Sequence, residues 1–342
     1  MTGALRFAIV GCGYITQAEH VPSLLTLLPD IDVVATADPD RARAEGVAAP
    51  FRARAYSDLT ALLGAEEVGA VLIATRAPTH ARLIAEAAAA GKPILVEKPI
   101  AYSLEEARQA AAAVEAAGVP CVVAYHRRYD DDCQRVKELI DSGAIGEVRA
   151  AVSSCRLVFP SIYRRYAGAS GPTPAEPVQD LPSDWLAENS IHHINLLRYW
   201  LGDVTKIHGA VYAKSNHDLG IVTLEFENRV LVSHHQLRNM ECGEEITLYG
   251  TRGNIRVELW YPHRPYRFPR VTQFQIDPPG WTEHTFPRSN PYTNQIRHFA
   301  NVVRGHAENR SGLSDSYRDL EILKGIVDRA VYVDGAKQKD KI

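Results

Sequence analysis

The amino-acid sequence predicts an α/β protein built from two domains. Its 342 residues, 46% hydrophobic and 23% charged, have an ordinary globular composition and are too many for one typical core. Short apolar segments alternate with alanine-rich helical segments through the first third, and this pattern changes after Tyr129. We therefore expect a first domain at residues 1–128, a second at 129–334, and a frayed polar tail at 335–342.

The first domain repeats the order strand, helix, strand, which predicts parallel β-α-β units. Its strands are apolar throughout, as expected where helices cover both faces of a sheet, so ligands should bind at the carboxyl ends of the strands. The predicted strands are residues 6–10, 32–37, 71–75, 94–97 and 119–125, and the predicted helices are 17–28, 79–90 and 104–117.

The second domain carries strands in which apolar and polar residues alternate, a pattern typical of an antiparallel sheet. Residues 160–182 are rich in Pro, Gly and Ser and predict a loop or lid ahead of a helix at 184–201. The remaining predicted elements are helix 133–142, turn 143–146, strands 147–158, 204–213, 221–226 and 230–236, and helices 294–304 and 314–331.

Charge and cysteine content exclude several functional classes. A net charge of -3 and a pI near 6.5 provide no basic face for nucleic acid or anionic lipid, so we expect small-molecule partners. No apolar run approaches the ~20 residues of a membrane span, and no secretory signal is visible. The five scattered cysteines are read as reduced thiols, which predicts a cytoplasmic protein.

The strongest local motif is Gly11-Cys12-Gly13, which follows a predicted strand and opens a helix. Backbone N–H groups and the helix dipole at such a turn bind a pyrophosphate, with Gly11 allowing the tight turn and Gly13 the close approach. Thr16 replaces the third glycine of the fingerprint, which is tolerable if the helix packs slightly farther from the strand. The motif alone also fits an ordinary turn.

Asp38 ends the second predicted strand, where a carboxylate accepts hydrogen bonds from an adenosine ribose and repels the 2′-phosphate of NADP. The weaker alternative is a cap or turn residue in Asp38-Pro39-Asp40. We expect NAD as cofactor, and the nearby Arg41 keeps NADP open.

Lys98 ends the strand at 94–97, at the sheet edge where the nicotinamide should lie, and Pro99 favours an extended Lys98. A lone lysine before proline is usually a solvated charge, but the strand-end position favours a role in the site. On the helix at 184–201, Glu188 and His192 share one stripe with Asn195. His192 suits proton transfer near neutral pH, and Glu188 can orient it or raise its pKa.

Other candidates are weaker. His193 points to another side of the helix, and His234-His235 alternate across a strand, so we expect no metal site. Arg156 borders the Pro/Gly loop and fits an acidic substrate or a solvated surface.

Taken together, these motifs resemble the Gfo/Idh/MocA family of glucose-fructose oxidoreductases and inositol dehydrogenases, over nearly the whole chain. The resemblance rests on Gly11-Cys12-Gly13, Asp38-Pro39-Asp40, Thr79-His80, Glu97-Lys98-Pro99, the segment 125–130, Gly143-Ala144-Ile145-Gly146-Glu147, His192 with Leu196-Leu197-Arg198, and Gly250-Thr251-Arg252-Gly253. It implies a Rossmann domain followed by an α/β domain with a large, mostly antiparallel, open-faced sheet, which usually forms homodimers or homotetramers.

The resemblance also implies roles for individual residues. Lys98, His192 and Glu188 are the expected catalytic residues. The expected cofactor-binding residues are Gly11, Gly13, Tyr14, Ile15, Asp38, Thr75, His80, Glu97, Lys98 and Arg128. The expected substrate-binding residues are Lys98, Asn189, His192, Arg156 and Tyr163.

The helix departs from the family pattern D-x-G-x-H-x-x-D, because Glu188, Ser190 and Asn195 replace the aspartate, glycine and final aspartate. The pocket is therefore reshaped, and the substrate stays open. The implied activity is NAD(P)-dependent hydride transfer to or from a sugar, inositol or related cyclitol. A redox-neutral hydrolase or epimerase with tightly bound NAD is one alternative, and a non-catalytic NAD(P)-binding sensor or corepressor is another.

Overall fold

A computed structural model describes residues 3–157, 186–213, 219–238, 243–259, 269–286 and 289–333. Within these ranges, each helix is too short or too polar to cross a membrane.

A six-stranded parallel sheet forms the N-terminal domain, in the order β3-β2-β1-β4-β5-β6. This is the doubly wound order of a dinucleotide-binding fold, as predicted. Its strands are β1 (Leu5–Val10), β2 (Ile31–Ala37), β3 (Arg54–Tyr56), β4 (Ala70–Ile73), β5 (Ile94–Val96) and β6 (Cys121–Val123). Its helices are α1 (Val21–Leu25), α2 (Arg41–Ala48), α3 (Leu59–Ala65), α4 (His80–Ala89) and α5 (Leu104–Ala117).

The helix predicted at 17–28 is interrupted, because Thr16–His20 form a wider turn before α1 begins. The N–H of Val21 reaches the carbonyl of Thr16, five residues back. Pro22 has no N–H to donate, so the ordinary helical ladder cannot continue through this point. The turn buries Glu19 and His20 beside the first strands.

A nine-stranded sheet forms the second domain, in the order β14-β13-β12-β11-β7-β10-β9-β8-β15. The pairs β7–β10 and β8–β15 are parallel and the other neighbours are antiparallel, so the predicted mostly antiparallel sheet is confirmed. The strands are β7 (Val148–Leu157), β8 (Val204–Tyr212), β9 (Leu219–Phe226), β10 (Leu231–Arg238), β11 (Gly243–Gly250), β12 (Gly253–Leu259), β13 (Arg270–Ile276), β14 (Pro279–Thr285) and β15 (Ala330–Tyr332).

Within the described ranges, four helices accompany this sheet: α6 (Asp131–Asp141), α7 (Ile191–Leu201), α8 (Pro291–Val303) and α9 (Leu313–Asp328). Helix α8 packs on the N-terminal domain, where Phe299 meets Phe7 with ring centroids 5.9 Å apart. The chain therefore returns to its first domain after β14, before β15 joins the edge of the second sheet.

One face of the large sheet packs on helices, and the other is open. Along β9, Val222 and Leu224 are buried, whereas Ile221, which points to the other side of the strand, is 50% exposed. Side chains alternate across a strand, so this pattern assigns every other residue to the open face. Helix α7 lies on the covered side, where Ile194 and Leu197 are buried.

Candidate functional site

The glycine loop after β1 has the geometry of a phosphate-binding turn. Gly11 has φ +94°, and a Cβ there would lie 2.5 Å from the carbonyl oxygen of Ala74. Only glycine fits this position. At Gly13 a Cβ would meet none of the described atoms within 4 Å, so the backbone is open to a ligand. Buried Thr16 donates its hydroxyl to the Gly11 carbonyl at 2.6 Å, which closes the turn without a third glycine.

The Asp38 carboxylate lies directly beside this loop. It accepts hydrogen bonds from the backbone N–H of Cys12 and of Asp40, both at 2.8 Å. Burial, followed by the charge of Asp38, raises the pKa of the Cys12 thiol to about 12, so the thiol is un-ionised. Asp38 therefore has the predicted turn role, and its position beside the loop also fits a ribose. Asp40 caps α2 by accepting from the N–H of Arg43.

The loop, the open backbone at Gly13 and the carboxylate at the end of β2 together fit a dinucleotide. Tyr14 and Ile15 are partly exposed in the same loop. The predicted cofactor residues 11, 13, 14, 15 and 38 thus follow β1 and β2 at the carboxyl edge of the sheet.

Two predicted cofactor residues, Thr75 and His80, join the ends of β4 and β5. The two ring nitrogens of buried His80 lie 2.8 Å from the carbonyl oxygen of Pro99 and 3.0 Å from that of Thr75. The hydroxyl of Thr75 lies 2.7 Å from the hydroxyl of Thr79. These contacts hold the Lys98-Pro99 segment against the preceding strand end, so His80 acts on the site through the backbone.

Glu97 is also held by protein groups. One carboxylate oxygen lies 2.8 Å from Nε2 of buried His20, and the other accepts from the N–H of Lys98 at 3.3 Å. Burial and the charge of Glu97 raise the pKa of neighbouring Glu19 to about 7. The sequence reasoning missed His20, because 77 residues separate it from Glu97.

Lys98 and His192 come together from the two domains. Lys98 is partly exposed after β5, with a cis peptide to Pro99. Half-buried His192 lies in the first turn of α7. Burial, then the Lys98 cation, then His126 hold the pKa of its imidazole well below the usual value. The described surroundings therefore keep the imidazole neutral. A dominant carboxylate neighbour would have the opposite effect, because it would raise the pKa of His192.

His126 is a site residue that sequence reasoning used only as a family marker. Its ring centroid lies 4.8 Å from that of His192, edge to face, and 4.8 Å from that of Tyr292, stacked at 15°. Tyr292 in turn meets His20 at 5.4 Å. A row of rings thus connects His20, which contacts Glu97, to the imidazole of His192.

Arg128, predicted to bind cofactor, connects α7 and α9. Its Nε donates to Oδ1 of Asn195 at 2.6 Å, and its guanidinium lies 2.6 Å from a carboxylate oxygen of Asp315. Asn195 donates to Asp319 at 2.7 Å and is buried, so the predicted polar stripe of α7 is wrong at this residue. These contacts give Arg128 a positioning role.

The predicted substrate residues divide among several places. Asn189 is partly exposed in the turn Leu186–Ser190, next to His192. Arg156 lies on the open face of the sheet with Glu245, 3.6 Å away, because its neighbour Cys155 faces the covered side. The expectation that Arg156 joins the group around His192 is therefore corrected. The side chain of Glu188 and all of Tyr163 lie outside the described residues.

Comparison with known proteins agrees with this geometry. Residues 5–125 match the GFO_IDH_MocA oxidoreductase family with an NAD-binding Rossmann fold, and residues 133–256 match the GFO/IDH/MocA C-terminal domain. The chain belongs to this NAD-binding oxidoreductase family.

Three similar proteins illustrate the range of the family. The scyllo-inositol 2-dehydrogenase (NAD(+)) of Bacillus subtilis (strain 168) is 29% identical over 317 residues, 89% of this chain and 87% of that protein. The D-apiose dehydrogenase of Paraburkholderia graminis is 30% identical over 93% of this chain and 85% of that protein. The structure of a 3-ketoreductase from Actinomadura kijaniata with NADP and TDP-benzene has a TM-score of 0.79 at 21% identity, covering 97% and 99% of the two chains.

Proposed function

We propose that this chain transfers a hydride between a nicotinamide and a hydroxyl-bearing carbon of a cyclitol or sugar. The observation that carries the proposal is the meeting of the two domains, where His126 after β6 faces the ring of His192 at 4.8 Å and Lys98 after β5 lies close enough to lower the pKa of His192. Relatives named for inositol and apiose oxidation support the substrate class.

The residues of the site suit alcohol oxidation. When bound, the oxidised nicotinamide supplies the hydride acceptor. His192 is neutral and takes the hydroxyl proton on a ring nitrogen, while the Lys98 ammonium donates a hydrogen bond to the oxygen as its negative charge develops. In the reverse direction His192 returns the proton. The buried His20–Glu97 pair holds the backbone of Lys98 in place.

The loop residues Gly11 to Ile15 and Asp38 would hold the dinucleotide, and we propose NAD over NADP. A fixed carboxylate at the ribose position repels a 2′-phosphate. Arg41, the residue that keeps NADP open in the sequence, pairs with Glu45 at 2.7 Å on the surface of α2.

We also propose a homodimer or homotetramer that buries the open face of the large sheet. Val211 on β8 and Ile221 on β9 are directly paired and are 49% and 50% exposed. Leu219 on the same strand β9 and Val331 on β15, which pairs with Val211, extend this apolar area. Contiguous exposed apolar surface of this kind is typical of a protein–protein interface.

A cytoplasmic location completes the proposal. Cys12, Cys121, Cys133 and Cys155 are buried free thiols, which suit a reducing compartment.

The test is a screen of the purified chain with NAD and NADP against inositols, aminocyclitols and sugars, following absorbance of the reduced cofactor. Steady reduction of NAD by a cyclitol or sugar is the expected result. Cofactor that co-purifies and is never released would favour redox-neutral chemistry, and binding without turnover would favour a sensor.

A further inference from the structure

The second histidine of α7, His193, faces a buried cluster on the covered side of the large sheet. Its Nε2 lies 3.9 Å from Oε1 of Glu244 on β11, and Sγ of Cys155 on β7 lies 4.0 Å from the same oxygen. All three ligand-type atoms lie within 4.8 Å of one another, and all three residues are buried. Three separate elements therefore direct nitrogen, sulfur and oxygen at one point.

A chain of hydrogen bonds determines which His193 nitrogen carries the proton. Ser190 donates its hydroxyl to Oε1 of Gln236, so it accepts from Nε2 of His234 at 2.9 Å. Buried imidazoles are neutral, so Nδ1 of His234 accepts from the hydroxyl of Ser153 at 3.0 Å. The Ser153 oxygen then accepts from Nδ1 of His193 at 2.7 Å. Nε2 of His193 is left as a bare lone pair.

That lone pair points into the cluster without a donor. Nε2 of His193, on a side chain only 1% exposed, has no hydrogen-bond partner among the described residues. It faces a carboxylate oxygen, which is also an acceptor. Two buried acceptors that face each other are unfavourable unless a proton, a water molecule or a cation lies between them.

The surrounding charge favours a cation. Arg127 donates to the other oxygen of Glu244 and lies 3.4 Å from Asp130. Asp132 is buried close by, and one of its oxygens has no hydrogen-bond partner in the described part of the chain. Asp130 and Glu244 both contact the guanidinium of Arg127, and buried Asp132 lies nearby, so a second cation in this cluster would find carboxyl oxygens to pair with.

We propose that Cys155, His193 and Glu244 bind a zinc ion. Sulfur, imidazole nitrogen and carboxylate oxygen are the ligands zinc prefers, at roughly 2.0–2.3 Å. A tetrahedron with one sulfur and two N or O ligands has edges of about 3.3–3.6 Å, so the observed 3.9 and 4.0 Å must contract by a few tenths of an ångström. The third pair, Nε2 of His193 and Sγ of Cys155, lies within 4.8 Å and must close to the same edge. Binding releases the thiol proton of Cys155 to solvent, and a water molecule takes the fourth position.

Two hydrogen bonds that would orient the ligands of such an ion are already in place. Ser153 accepts from the distal N–H of His193, and Arg127 donates to the distal oxygen of Glu244. The ion would fix α7 to β7 and β11 one residue after His192, so its role is to position the catalytic helix. The sequence predicts no metal site, because the three ligands come from distant parts of the chain and form no local motif.

The experiment is metal analysis of the full chain, purified without a metal-affinity column and dialysed against a weak chelator, together with its Co²⁺-substituted form. We expect one zinc per chain and a thiolate-to-cobalt absorption band. Cys155→Ser should lose the band and bind zinc at least ~100-fold more weakly, and Ser153→Ala about 10–100-fold more weakly. Cys121→Ser, the same change at a buried cysteine of β6, should keep both signals.

Wild-type protein without stoichiometric zinc and without the cobalt band would overturn the proposal, and would leave a water molecule or proton between His193 and Glu244. Zinc that stays bound in Cys155→Ser would equally overturn it. The wild-type cobalt spectrum needs no variant to fold, and neither readout depends on turnover, so the outcome is separate from the proposed oxidoreductase activity.

Discussion

His126 and His192 face each other edge to face, with ring centroids 4.8 Å apart. One residue follows the last strand of the dinucleotide-binding sheet and the other begins helix α7 of the second domain. Together with Lys98, His126 lowers the pKa of His192, after burial itself. Groups from the opposite domain thus lower the pKa of the imidazole that we propose as the proton acceptor.

The pH dependence of oxidation should reflect this tuning. His192 accepts a proton only when neutral, so activity is present above its lowered pKa and is lost as the pH falls through that value. We expect kcat/KM to stay flat through neutral pH and to bend downward only well below pH 6.5, the ordinary value for histidine. His126→Phe keeps a ring in place but removes a lowering influence, so its bend should move to higher pH. A wild-type bend at or above 6.5 would contradict this assignment.

Stability should depend strongly on the Arg127 guanidinium. Its side chain is 3% exposed and contacts both Glu244 and Asp130, so Arg127→Met leaves buried carboxylates without their counter-charge. We expect the free energy of unfolding in urea to fall by about 3–5 kcal/mol. Arg82→Met, which breaks an exposed pair with Glu86, is the matched control and should leave the urea midpoint nearly unchanged. Equal midpoints for both variants would be inconsistent with a buried pair.

Three glycine-to-alanine changes separate fold from cofactor binding. Gly11→Ala forces a Cβ at φ +94° against Ala74 and should destabilise the chain by about 1–3 kcal/mol. Gly13→Ala has room in the protein but intrudes on the pyrophosphate, so it should fold normally and bind NAD about 10-fold or more weakly. Gly46→Ala in α2 should bind NAD normally and raise the free energy of unfolding by about 0.5–1 kcal/mol. Urea unfolding and fluorescence titration with NAD measure the two effects, and normal NAD affinity in Gly13→Ala would count against the loop as cofactor site.

The open sheet face should control assembly. Ile221→Asp places a charge in the apolar area beside Val211 and should shift the protein toward monomer in light scattering after gel filtration. Leu28→Asp, the control at a residue 45% exposed between α1 and β2, should leave the molar mass of the assembly in light scattering unchanged. A wild-type monomer, or an oligomer insensitive to Ile221→Asp, would exclude this interface.

Local patterns were enough to predict much of this fold and site. Apolar strands with helices between them predict the parallel sheet, and the turn at Gly11 and the strand end at Lys98 lie on its carboxyl edge as expected. Contacts between distant residues were not predictable, because no local periodicity reports them. His20 with Glu97 and Arg128 with Asn195 are examples.

The end of α9 illustrates the same limit. The helical pattern predicts a helix to residue 331, but α9 ends at Asp328 and Ala330–Tyr332 pair in parallel with β8. A neighbouring strand edge offers hydrogen bonds that outweigh a weak local helical preference.

The central claim is that Lys98 and His192 together carry out the proton and charge chemistry of hydride transfer. Its most direct test compares turnover and NAD affinity in wild type, Lys98→Met and His192→Gln, with the cyclitol or sugar that the wild type oxidises fastest. We predict a loss of at least ~100-fold in kcat for each variant, because each removes one proton-transfer or charge-stabilising group. NAD affinity should stay within a few-fold of wild type, since the glycine loop and Asp38 are untouched. Wild-type turnover in either variant would contradict the account.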